Sequence, residues 1–123
     1  MKGNMTPDST PLTKRYCLTL DLQDDPKLIA EYKRHHEEVW PEITKSIRDA
    51  GVEGLEIYLL GTRLVMILEV NESFSFEKKA ESDRNNRAVQ EWERLMWKFQ
   101  QPLPEAQPGE KWLLMEQIFK LSE

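Results

Sequence analysis

Along this chain the period of the apolar residues runs two, about 3.6, two, two, about 3.6, two. Few architectures accept that order of strands and helices. Residues 15–22 (RYCLTLDL) alternate, with Tyr16, Leu18, Leu20 and Leu22 on one side. Asp25 followed by Pro26 is a helix start, a capping carboxylate before a proline in the first turn. Through residues 26–50, Leu28, Ile29, Tyr32, His36, Val39 and Trp40 recur at three- and four-residue steps. Pro41 lacks an N–H and its ring crowds the preceding turn, so a break is expected near Val39 and Trp40. A second helix then covers residues 41–50, closed by Gly51.

Residues 53–60 and 63–70 are two strand patterns joined by Gly61-Thr62, a tight hairpin signal. Residues 74–83 predict a short helix. Residues 86–100 predict a stronger one, in which Trp92, Leu95, Met96 and Phe99 form one apolar stripe. Residues 101–109 hold three prolines and a glycine and are expected to be a loop. Residues 111–121 return as a final strand. The order βαββαβ is the ferredoxin-like α+β arrangement, a four-stranded antiparallel sheet with helices on one face. Both registers of residues 63–70 are apolar, so the bare face would be a large exposed patch. A second copy of the same sheet covers it most simply, giving an isologous homodimer of the dimeric α/β barrel kind.

A length of 123 residues fits one domain, expected over residues 15–123. Residues 1–14 are polar, lack the apolar core of a signal peptide, and are expected to be a flexible tail. No apolar run approaches the roughly 20 residues of a membrane span. The net charge is −5 and the basic residues do not cluster, which leaves no footprint for nucleic acid. The one cysteine, Cys17, sits in an apolar run and cannot form an internal disulfide. A cytoplasmic location is the expectation.

Reactive side chains concentrate in residues 32–42 (YKRHHEEVWPE), which hold both histidines of the chain. Tyr32 and His36 are four apart and share a helix face, and Trp40 is expected to extend that face by a turn. An aromatic ring stacks on the apolar face of a sugar, and an imidazole both gives and takes protons near neutrality. The same stripe would also serve as plain core. His35 and His36 are adjacent and point about 100° apart, which is not the i, i+4 spacing of a zinc pair, so no metal site is expected. Trp92, Trp97 and Trp112, with Glu91, Glu93 and Glu116 nearby, are compatible with a carbohydrate cleft. The chain contains no P-loop, dinucleotide fingerprint or nucleophile elbow.

Tyr32-x-x-x-His36-x-x-x-Trp40-Pro41-Glu42, the pair Ile57-Tyr58, Trp92-x-x-x-Met96 and Glu116-x-Ile118-Phe119 together resemble the L-rhamnose mutarotase family, over about residues 15–121, nearly the whole chain. The resemblance implies a dimeric α+β fold and aldose 1-epimerase activity on L-rhamnose, a 6-deoxy-L-hexose, without a cofactor. It implies His36 as proton donor, with sugar contacts from Tyr32 and Trp92. Family members carry a second Trp where this chain has Glu93, and a Tyr on the second strand where it has Leu55. Those departures leave the proton chemistry intact and bear on which sugar is taken, L-rhamnose or L-fucose. The expected site is therefore His36 and Tyr32 for catalysis, with Trp92, Glu93, Trp40, Leu55 and Tyr58 as binding residues. Two other readings compete with mutarotation. One is a carbohydrate-binding module without activity. The other is a cofactor-free monooxygenase-like enzyme on the same fold.

Overall fold

A computed structural model describes residues 13–121. The expected tail therefore falls largely outside the described residues, and Lys14, assigned to it, already belongs to the first strand.

Strand β1 (Lys14–Leu22) lies at the middle of the sheet. Its alternation sends Leu18, Leu20 and Leu22 into the core, 7%, 0% and 2% exposed. Helix α1 (Pro26–His35) starts where Asp25 accepts hydrogen bonds from the Lys27 and Leu28 amides at 2.9 and 3.3 Å, with Pro26 in the first turn. Helix α2 (Pro41–Asp49) follows. Trp40, preceding a proline, is held at φ −56°, ψ 137°, outside the helical region. The break is thus wider than the sequence suggests. α1 stops at His35, His36 caps it, and Trp40 belongs to neither helix.

Gly51 turns the chain from α2 into β2 (Val52–Leu60) at φ +102°. A Cβ there would lie 2.6 Å from Asn71 Oδ1 and 2.7 Å from Ser73 Oγ, so the close approach requires glycine. β2 and β3 (Arg63–Val70) form the expected hairpin, with Gly61 at φ +62°. Helices α3 (Phe76–Arg84) and α4 (Arg87–Trp97) follow, capped by Ser75 and Asn86. α4 ends before residue 100: Gln100–Gln101 instead form a short strand, β4, and Leu113–Leu114 form β5.

The strand order is β2-β3-β1, with β4 and β5 sharing the free edge of β1 at Asp21–Leu22 and Leu18–Thr19. This is a ferredoxin-like α+β fold, antiparallel throughout. The final strand, expected over residues 111–121, pairs only at β5 and through the Met115 amide to the Cys17 carbonyl at 2.7 Å. Beyond it the chain pairs with no strand among the described residues, and Ile118, Phe119 and Leu121 are 89%, 75% and 88% exposed.

The helices cover one sheet face. There Leu22, Tyr32, Ile43, Leu64, Val89, Trp92, Met96 and Phe99 form the main core, and Leu18, Val52, Leu68 and Val70 form a second. The opposite face carries Cys17, Tyr58, Val65 and Ile67, with ion pairs Arg15–Glu69 and Arg63–Asp21 at its margins. Among the described residues no helix is long and apolar enough to cross a membrane.

Candidate active site

A cavity of ≈ 450 Å³ lies among α1, α2, α4 and the inner sheet face. Its size falls within the usual range for a small-molecule pocket. Tyr32, His36, Leu55, Trp92 and Glu93 line it, which places five of the seven expected site residues on one cavity. Trp40 does not line it; it packs edge-on behind Trp92, ring centroids 5.1 Å apart. Tyr58 is not in the cavity either. It pairs with Val65 on the opposite face, 57% exposed, and its hydroxyl donates to Glu56 at 3.2 Å. Strand alternation forbids Leu55 and Tyr58 from facing the same way, and Ile57 takes the inward position.

The end of α1 builds the reactive pair. His36 Nδ1 lies 2.8 Å from the Tyr32 carbonyl oxygen. A carbonyl only accepts, so Nδ1 carries the proton, and in the neutral ring Nε2 keeps a free lone pair. The imidazole lies 4.5 Å from the Tyr32 ring and edge-on to Trp92 at 5.7 Å, centroid to centroid. Burial lowers its pKa below the ordinary 6.5, only partly offset by the bond to the Tyr32 carbonyl, and nearby His35 lowers it further. His36 is therefore neutral at pH 7, a ready base. Burial raises the pKa of the Tyr32 phenol above 10.0; the Gln100 hydrogen bond opposes this and the Glu93 charge reinforces it. Tyr32 thus stays protonated at neutral pH, with an O–H able to donate a hydrogen bond.

Three features of the site were not read from the sequence. Lys111 reaches from the loop after β4 to Glu93, donating to Oε1 at 2.9 Å and to the backbone carbonyl at 3.1 Å, with its ammonium 4.8 Å from the Trp97 ring centroid. Gln100 donates through Nε2 to the Tyr32 hydroxyl at 3.4 Å. Among the described residues, two buried side-chain atoms have no hydrogen-bond partner, Ser46 Oγ and Gln100 Oε1, and both residues line this cavity. No group of three or more His, Cys, Asp or Glu side chains among the described residues is placed to hold a metal ion.

The sequence model of the L-rhamnose mutarotase family matches residues 15–121. This chain belongs to that family. An L-fucose mutarotase of Xanthomonas campestris is 48% identical over 112 residues, which cover 89% of this chain and 90% of that protein. A Dictyostelium discoideum protein of the UPF0734 group is 38% identical over 115 residues, covering 88% and 90%. Among solved structures, an L-rhamnose mutarotase from Formosa agariphila superposes with a TM-score of 0.64 at 22% identity, over 89% of this chain and 99% of that one. A dimeric ferredoxin-like protein from an uncultured marine organism superposes at 0.51 and 15% identity, a likeness of fold. The chain is thus a member of a family of sugar isomerases, and neither a binding module without activity nor a monooxygenase is the favoured reading.

Proposed function

We propose that this mutarotase-family protein interconverts the α and β anomers of a 6-deoxy-L-hexose and takes L-fucose in preference to L-rhamnose. The observation that carries the chemistry is His36, neutral, with Nδ1 committed to a carbonyl and Nε2 free on a residue that lines the cavity. Ring opening moves one proton from the anomeric hydroxyl to the ring oxygen. Both oxygens are bonded to C1, so one imidazole can serve both. His36 takes the proton from the anomeric oxygen as the C1–O5 bond breaks, and delivers it to O5. Tyr32 donates a hydrogen bond to O5 while charge develops there. The open aldehyde rotates about C1–C2, and the same steps in reverse close the other anomer. Trp92 offers a face to the ring of the sugar, and Glu93, held by Lys111, accepts from its hydroxyls.

The preference for L-fucose is supported by the Xanthomonas relative, which matches at 48% across nearly its whole length. The relatives described as L-rhamnose mutarotases match at 45% over 38 residues or 29% over 81. We also assign a second copy of this chain as partner, supported by the apolar outer sheet face and the exposed Ile118, Phe119 and Leu121. Sedimentation should give a dimer. The cytoplasm is the proposed location, supported by a lone thiol: Cys17 Sγ faces Met115 Sδ at 3.6 Å rather than a second cysteine. The decisive experiment is exchange NMR of anomeric protons with L-fucose, L-rhamnose and D-glucose. Faster exchange for the first two, L-fucose leading, is the expected result. Exchange at the buffer rate for all three refutes the proposal.

A further inference from the structure

Gln100 is a polar residue placed where an apolar one would be expected. The Gln23 backbone N–H donates to the Phe99 carbonyl at 2.8 Å, where β4 lies against β1. The register sets Gln100 opposite Leu22, whose side chain is 2% exposed on the cavity face. Cross-strand neighbours share a face, so Gln100 is carried inward and is only 5% exposed. Its Nε2 is used on the Tyr32 hydroxyl; its Oε1 has no partner among the described residues, and the residue lines the cavity. A buried acceptor left unpaired is costly and uncommon in native proteins. A Tyr oxygen that accepts from the amide must direct its single proton elsewhere.

We propose that Gln100 is a substrate-contacting residue whose Oε1 accepts from one hydroxyl of the sugar while its Nε2 turns the Tyr32 proton toward an adjacent sugar oxygen. The amide and the phenol then form a paired acceptor and donor, complementary to two neighbouring oxygens of a polyol. This rests on the mutarotase reading and deepens it: the pair selects for a hydroxyl at one ring position. Sites built around a buried hydrogen bond reject analogues lacking the partner far more strongly than apolar pockets discriminate shape.

The test compares wild type, Q100L and Q100E on L-fucose and its 2-, 3- and 4-deoxy analogues, by anomer-exchange NMR and by calorimetric binding. Wild type should lose about 100-fold or more in kcat/KM on one analogue alone. Q100L should keep its melting temperature, raise KM for L-fucose about tenfold or more, and treat that analogue and the parent sugar within about threefold of each other. Q100E retains an acceptor and places a charge beside the phenol, so its pH–rate profile should shift in the alkaline limb. Q100M replaces Q100L if the latter does not fold. An apolar variant that changes all four sugars equally, or none, overturns the assignment. Wild type that binds L-fucose without accelerating exchange, with binding weakened by Q100L, would remove the catalytic reading and leave the Gln100 contact standing. Absence of both binding and exchange removes both.

Discussion

His36 carries two duties that a pair of substitutions can separate. Its Nδ1 donates to the Tyr32 carbonyl at 2.8 Å, closing the end of α1, and its Nε2 is the proposed proton carrier. In H36A the carbonyl loses that donor and the ring loses its packing on Tyr32 and Trp92. An unmet group of this kind costs about 1–2 kcal/mol, and with the lost packing the total is about 2 kcal/mol. For a domain of this size the melting temperature should fall by roughly 6–10 °C. Asparagine places a nitrogen donor where Nδ1 stood but offers no basic atom. H36N should therefore lose less than about 1 kcal/mol. Both variants should nonetheless lose about 10²–10⁴-fold in anomer exchange, the contribution of one positioned acid–base group. Thermal unfolding and exchange NMR on the same samples read the two effects independently. H36N that unfolds near wild type and exchanges within tenfold of it refutes the assignment of His36 as proton carrier.

The remaining predictions follow from the same geometry. Burial keeps the imidazolium disfavoured, so kcat/KM should be level through pH 7 and decline only in acid below the ordinary histidine value of 6.5, as a pH–rate profile reports. By linkage, the unfolded chain takes up this proton first as pH falls through about 6.5. The His36 contribution to stability is thus full above that pH and lost toward the lower folded value, which pH-dependent denaturant melts will measure. K111M should leave stability within about 1 kcal/mol, because Glu93 is half-exposed, yet raise KM by freeing the carboxylate. In an E93Q background the same change should have no further effect on KM. G51A should cost about 2–4 kcal/mol in denaturant melts, the sum of a positive φ and the displaced Asn71 and Ser73 side chains.

The reactive pair was legible because it lies within one helix. Four-residue spacing brings Tyr32 and His36 together whatever surrounds them. Trp92 and the core stripe of α4 were legible for the same reason. The place where α1 stops was not. Pro41 announces a break, but the stop at His35 is set by the cap that His36 makes on Tyr32. Tyr58 was assigned to the site although alternation opposes it to Leu55. The register against β3, with an irregularity between Val52 and Gly54, puts Tyr58 outside. Gln100 and Lys111 carry no signal in a single sequence, since a glutamine pair and a lysine after a proline-rich loop resemble any surface.

The amino-acid order alone determined the sequence of strands and helices, the hairpin, the capped start of α1 and the proline start of α2, and the residues that would meet on each helix. These depend on contacts within a few positions, where geometry is fixed by the backbone. Tertiary structure decided what crosses the chain. It turned Gln100 inward against Leu22, tied Lys111 to Glu93 in the cavity lining, and left the segment after Met115 without a strand to pair with among the described residues. Each of these is a choice of neighbour between residues far apart in sequence. Such a choice is settled by which pairings bury the most apolar surface while satisfying backbone hydrogen bonds, a sum taken over the whole fold.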